Sequence, residues 1–115
     1  MKTLNKSGHK IRRVREKDFQ QVRDLMRDGK VFADKDRRGL LKSIKNYFYH
    51  PEGDEFITCI YRVGDRIAGF ISFGRDLGLD TFEVWALSVS PRFQRNGIAT
   101  NLLRHAEKEI RARDR

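Results

Sequence analysis

The spacing of apolar positions divides the chain into helical and extended stretches. Phe19, Val22, Leu25 and Met26 recur three and four residues apart, the spacing that lines one face of a helix. Glu16 and Asp18 suit the positive end of that helix's dipole, and Gly29 is placed to end it. Leu40, Leu41, Ile44, Tyr47 and Phe48 mark a second helix, capped by Asp34 or Asp36 and closed by Pro51-Glu52-Gly53. Ile98, Leu102, Leu103, Ala106 and Ile110 mark a third. Elsewhere the pattern is that of strands, over 11–15, 55–63, 66–73 and 81–89, the longer three rich in β-branched and aromatic residues.

Gly64-Asp65 supplies a tight turn that pairs strands 55–63 and 66–73 as a hairpin, and residues 74–78 give a looser connection to the next. Ile57, Cys59, Tyr61 and Val63 alternate with Phe56, Thr58 and Ile60, so this strand is apolar on both sides. Ile67, Ile71 and Phe73 opposite Ala68 and Phe70 repeat the point, and a sheet covered on both faces explains both. The order strand, two helices, three strands, helix predicts an α/β fold: a mostly antiparallel central sheet with helices on both faces. At 115 residues there is room for one domain. Residues 1–10 are expected to form a flexible basic segment and 11–115 the folded domain.

Composition narrows the setting. The chain is 38% hydrophobic and 36% charged, has no apolar run long enough to span a bilayer, and begins without the apolar core of a signal peptide, so a cytoplasmic location is expected. Cys59 is the single cysteine, which excludes an internal disulfide, and its apolar neighbours read as those of a packed thiol. His9, His50 and His105 make no metal-ligand spacing with it or with one another, and no metal is expected. The 25 Lys and Arg against 16 Asp and Glu leave a net charge of +9, which favours an anionic ligand, an acidic partner or nucleic acid without choosing among them. The basic residues are spread along the chain, as on an ordinary solvated surface.

One stretch carries chemistry. Phe82, Val84, Trp85, Leu87 and Val89 run into Pro91, which lacks an amide hydrogen and marks the strand's end. A polar turn, Arg92-Phe93-Gln94-Arg95-Asn96-Gly97, then leads into the third helix. The first amides of a helix have no intrahelical partner and its dipole is positive there, so such a junction attracts anions, and Gly97 removes a side chain where a phosphate would approach. Each residue also has a plain structural reading: helix-start glycine, solvated loop, ordinary core.

The succession Gln94-x-x-Gly97-x-Ala99, following a strand and opening a helix, resembles the Gln/Arg-x-x-Gly-x-Gly/Ala signature of the GNAT superfamily of acyl-CoA-dependent N-acetyltransferases. The resemblance covers most of the chain, from Ile11 on. It implies that the turn's amides, at Gln94, Arg95, Asn96, Gly97, Ile98, Ala99 and Thr100, hold the pyrophosphate of acetyl-CoA, with Arg92 and Arg95 adding charge-assisted contacts. It further implies that the backbone at Leu87, Ser88 and Val89 pairs with the pantetheine arm, and that an amide near Val89 steadies the oxyanion as an acceptor amine attacks the thioester. Glu83, on the strand leading to the acyl site, is the candidate general base, with Asp80 a rival; its alternative is a strand-edge or salt-bridged glutamate.

The chain ends after the helix that follows this motif, whereas the family continues with further strands and a helix that complete the acyl cleft and often supply a tyrosine acid. A C-terminally truncated fold is therefore expected. Tyr47, Tyr49 and Tyr61 precede the motif and cannot take the acid's role by position. The sheet would end in an unpaired edge along 84–89, open to pairing with a second copy. Three functions follow: acetyl transfer to a small amine, protein N-terminus or lysine; an acyl-CoA-binding module or fragment impaired in turnover; and nucleic-acid binding through Phe93 or Trp85, for which no motif is present.

Overall fold

The computed structural model describes residues 8–29, 34–47, 53, 55–76 and 81–113. In chain order these form β1 (His9–Arg13), a 3-10 turn (Glu16–Asp18), α1 (Phe19–Gly29), α2 (Asp34–Tyr47), β2 (Ile57–Val63), β3 (Arg66–Asp76), β4 (Thr81–Val89), a second 3-10 turn (Pro91–Phe93) and α3 (Ile98–Arg113). The four strands make one antiparallel sheet in the order β1-β2-β3-β4, which leaves β4 as an edge among the described residues.

Register assigns the two faces, because Cα partners in an antiparallel pair point the same way. Arg13, Cys59, Ile71 and Leu87 lie in one such row. Arg13 reaches Glu109 of α3 at 3.3 Å, so α3 covers that face. Arg12, Ile60, Phe70 and Ser88 form the neighbouring row on the other face. There Arg12 meets Asp18, in the turn that leads into α1. Helices on both faces thus follow from apolar side chains on both sides of β2 and β3, and Val22, Met26, Ile44, Ile60, Phe70, Ile71 and Leu102 are fully buried between the layers.

Asp18 fixes the entry to α1. Its carboxylate takes two hydrogen bonds from Arg12, at 2.8 and 3.0 Å, and one from the Arg15 amide at 2.7 Å. Burial pushes this carboxyl's pKa up, but the bonds from Arg12 and the Arg15 amide outweigh burial and hold it below the usual range. The Thr58 and Ser72 hydroxyls, fully buried on the same face, satisfy each other at 2.8 Å.

The expected boundaries shift in three places. β1 runs from His9 to Arg13 rather than over 11–15, taking two residues from the segment read as flexible. β2 begins at Ile57 rather than Glu55, and β3 runs on to Asp76, so Gly74 belongs to a strand and not to the connection. β3 runs on because Gly74, Arg75 and Asp76 pair with Glu83, Phe82 and Thr81 of β4, whereas Glu55 and Phe56 form a bend beside Gly74, where a Cβ would collide with the Glu55 carbonyl. The side chain of Tyr47, together with Phe48, Tyr49, Pro51, Glu52 and Asp80, lies outside the described residues.

Candidate acyl-cofactor site

The site starts where β4 leaves the sheet. Ser90 donates its amide to Ala68 at 2.7 Å, so Ser90's backbone points inward to β3. Backbone groups alternate along an edge strand, which turns Ser88 inward as well and leaves the N–H and C=O of Leu87 and Val89 facing the open edge. The Gln94 side-chain amide reaches the outward carbonyl of Val89 at 3.4 Å. Of the three positions expected to pair through the backbone, Leu87 and Val89 are therefore disposed to do so. Ser88 is not, because its main chain is committed to β3.

Upstream, β4 carries a bulge: Ala86 pairs with Ser72 and Val84 with Phe73, so Trp85 is the extra residue. The sequence held this signal in the change of phase from Phe82 and Val84 to Trp85, Leu87 and Val89. Val84 and Trp85 are exposed, at 45% and 39%.

Beyond Ser90 the chain makes its 3-10 turn, closed by the Phe93 amide on the Ser90 carbonyl at 2.9 Å, and reverses through Arg95 and Gly97 at φ of 71° and 77°. The first helical bond of α3 runs from the Asn101 amide to the Gly97 carbonyl at 3.0 Å. The amides of Ile98, Ala99 and Thr100 therefore precede any intrahelical acceptor and sit at the positive end of a 16-residue helix. Gly69 lets this junction pack close: a Cβ there would stand 2.8 Å from the Ser88 carbonyl and 3.4 Å from Ile98 Cγ2.

A cavity of about 480 Å³ opens at this place, lined by Leu87, Ser88, Val89, Phe93, Gln94, Arg95, Gly97, Ile98, Ala99 and Thr100. The structure thus gathers nine of the expected binding residues and adds Phe93. Arg92 and Asn96 do not line it: Arg92 is exposed in the 3-10 turn, and the Asn96 side chain donates back to the Phe93 carbonyl at 3.2 Å. The gathering of loop and strand residues around one anion-attracting helix start fits a diphosphate joined to an extended arm.

Glu83 lies apart from that cavity, opposite Gly74 on β4 before the bulge. It is half-buried and makes no ion pair with another described residue, so the salt-bridged reading has no partner among them. It faces the α1 side of the sheet, as does Ser88.

Other reactive groups are packed away. Burial pushes the Cys59 thiol up to about 12, so it stays protonated and inert at neutral pH. Tyr61 is 1% exposed, its hydroxyl bonded to His9 at 2.8 Å, and burial raises its pKa too. No grouping of His, Cys, Asp or Glu among the described residues could hold a metal ion, and no helix there is long and apolar enough to cross a membrane.

Comparison with known proteins places this geometry. The chain superposes on a structure from Desulfovibrio desulfuricans assigned to the GNAT family with a TM-score of 0.83 at 19% identity, covering 90% of this chain and 67% of that one. The ribosomal-protein-S18-alanine N-acetyltransferase of Escherichia coli matches with a TM-score of 0.67 at 20% identity, covering 91% and 61%. The PaiA N-acetyltransferase of Thermoplasma acidophilum, solved with coenzyme A, matches at 0.72 and 15% identity, covering 92% and 74%. These likenesses establish the fold, and this chain spans about two thirds of the length of such proteins. A search of curated proteins finds no match. The family model of GNAT acetyltransferases matches residues 19–115, from the start of α1 through the phosphate-loop candidate and α3, and the chain accordingly belongs to the GNAT acetyltransferase family.

Proposed function

We propose that this chain binds acetyl-CoA across the open edge of β4 and the start of α3, and transfers the acetyl group to an amine. The carrying observation is the set of helix-start amides at Ile98, Ala99 and Thr100, next to the reversal at Arg95 and Gly97 and lining one cavity with the end of β4. In this reading those amides hold the diphosphate, and Arg95 adds charge. The outward backbone of Leu87 and Val89 pairs with the arm as an added strand would, and the Val89 amide steadies the oxyanion. Glu83 takes the proton from the acceptor amine, directly or through water, on the α1 side of the sheet. The acceptor belongs to the amine class on which the family's N-acetyltransferases act.

A second reading, cofactor binding without turnover, is favoured by one observation. The described thiol and phenol, Cys59 and Tyr61, are buried and absent from the cavity lining, so neither stands ready to protonate a departing thiolate. The exposed Val84 and Trp85 beside the β4 edge also support pairing with a second copy, which concentration-dependent sedimentation tests.

Thermal denaturation with coenzyme A tests the cofactor reading, because a ligand held only by the folded state stabilises it by about 2.7 kcal/mol at a hundredfold excess over Kd. No shift at millimolar coenzyme A overturns it. Thiol release from acetyl-CoA over a panel of small amines and peptides then separates enzyme from binding module.

A further inference from the structure

A buried polar contact ties the sheet to the first turn of α3. Asn101, the fourth residue of that helix, is 6% exposed and shares its inward stripe with Ile98, Leu102 and Ala106. On the sheet, Tyr61 is 1% exposed and stands two residues from Cys59 along β2, hence on the α3 face. Its phenol lies 2.8 Å from His9 Nδ1 of β1, with the two rings edge to face at 5.6 Å. Burial raises the Tyr61 pKa, and a hydrogen bond with the Asn101 side chain draws it part of the way back. Asn101 is the donor of that bond, because only a donor steadies the phenolate, and the phenol's own proton is left for His9. Three elements, β1, β2 and α3, thus meet at one hydroxyl.

Apolar contacts alone let a helix slide and turn against a sheet, whereas a hydrogen bond holds only over a narrow range of distance and angle. Asn101 also donates its amide to the Gly97 carbonyl, so its place sets that of the three preceding amides, at Ile98, Ala99 and Thr100. We propose that Tyr61 and Asn101 are positioning residues for the anion: their bond fixes the depth and rotation of α3 and so aims those amides at the cofactor's diphosphate. The proposal rests on the acyl-CoA reading of the cavity and adds to it two residues that do not line it. They act through the helix, without touching the ligand.

The test compares the parent with Tyr61→Phe, Asn101→Leu and the double variant. Each is titrated calorimetrically with coenzyme A and with its phosphoadenosine diphosphate part, at a temperature where all four proteins are folded. Either single substitution should weaken both probes by roughly 3- to 10-fold, the loss of one hydrogen bond, because both probes carry the diphosphate. The double variant should lose no more than a single one, since each has already removed the same bond. Melting temperature separates this from a packing role. Tyr61→Phe takes the acceptor from the buried Asn101 and should melt below the parent, whereas the double variant replaces both partners by apolar groups of like shape and should recover most of that loss without recovering affinity. Parent affinity in the single variants, additive losses in the double one, or affinity that returns with its stability, overturns the proposal while leaving the site in place. Failure of the parent to bind coenzyme A overturns the site and the proposal together.

Discussion

Arg95 and Gly97 flank Asn96 with backbone φ of 71° and 77°, so the turn before α3 enters the left-handed region twice within three residues. Glycine adopts that conformation freely, whereas a side chain costs about 1–2 kcal/mol there. Gly97→Ala should therefore lower stability by about 1 kcal/mol and weaken coenzyme A binding, because the backbone must relax away from the geometry that aims its amides. Arg95→Gly relieves strain and should raise stability by up to about 1 kcal/mol, while losing a cation from the cavity. Urea unfolding and calorimetric titration of both variants check this. Unaltered cofactor affinity in Gly97→Ala would remove that residue from the site.

The two strand glycines should respond differently to alanine. At Gly74 the new Cβ runs into the Glu55 backbone, which has no rotamer with which to yield, and overpacking of this kind costs about 1–3 kcal/mol. At Gly69 the neighbours are the Ser88 carbonyl at 2.8 Å, Val89 Cγ2 at 3.3 Å and Ile98 Cγ2 at 3.4 Å. Gly69→Ala should push the end of β4 from α3 and so lose coenzyme A affinity, whereas Gly74→Ala should mainly lower the denaturation midpoint. Comparable binding losses in both would count against Gly69 as the spacer of the site.

Asp18 makes stability depend on acidity. Its folded pKa is depressed, so its contribution is complete above the ordinary carboxylate value of about 3.9 and disappears as pH falls through the lower folded value. Asp18→Asn breaks a pair whose side chains are 14% and 6% exposed and should cost about 3 kcal/mol at pH 7, with less difference from the parent at pH 2–3. Melting curves across that range test the sign: a penalty that grows in acid would contradict it.

Glu83→Gln keeps the shape and removes the base. If Glu83 accepts the amine proton, kcat falls by about 10²–10⁴-fold while coenzyme A binding is spared. Full turnover by Glu83→Gln would return Glu83 to a structural role on β4.

His105, one helical turn from Glu109 in α3, gives a second pH signature. Burial lowers its pKa, so the folded state resists protonation and loses stability as pH falls below the ordinary histidine value of about 6.5. Parent and His105→Gln should diverge least above that value and most near pH 5, as read by chemical denaturation. A flat difference from pH 7.5 to 5 would refute the linkage.

The sequence alone determined the element order, the two-sided sheet and the strand-turn-helix junction at residues 89–98, because periodicity, turn residues and the Pro91 and Gly97 positions are local properties of the chain. Tertiary structure decided the rest. Only the register shows that Leu87 and Val89 turn their backbones outward while Ser88 turns inward, and only the folded turn shows that Arg92 and Asn96 miss the cavity. The bend of Glu55 and Phe56 over Gly74 and the closeness of Gly69 to Ile98 belong to the same class. Each depends on which main-chain group meets which neighbour across the sheet, and that is set by long-range pairing and steric contact rather than by the order of residues.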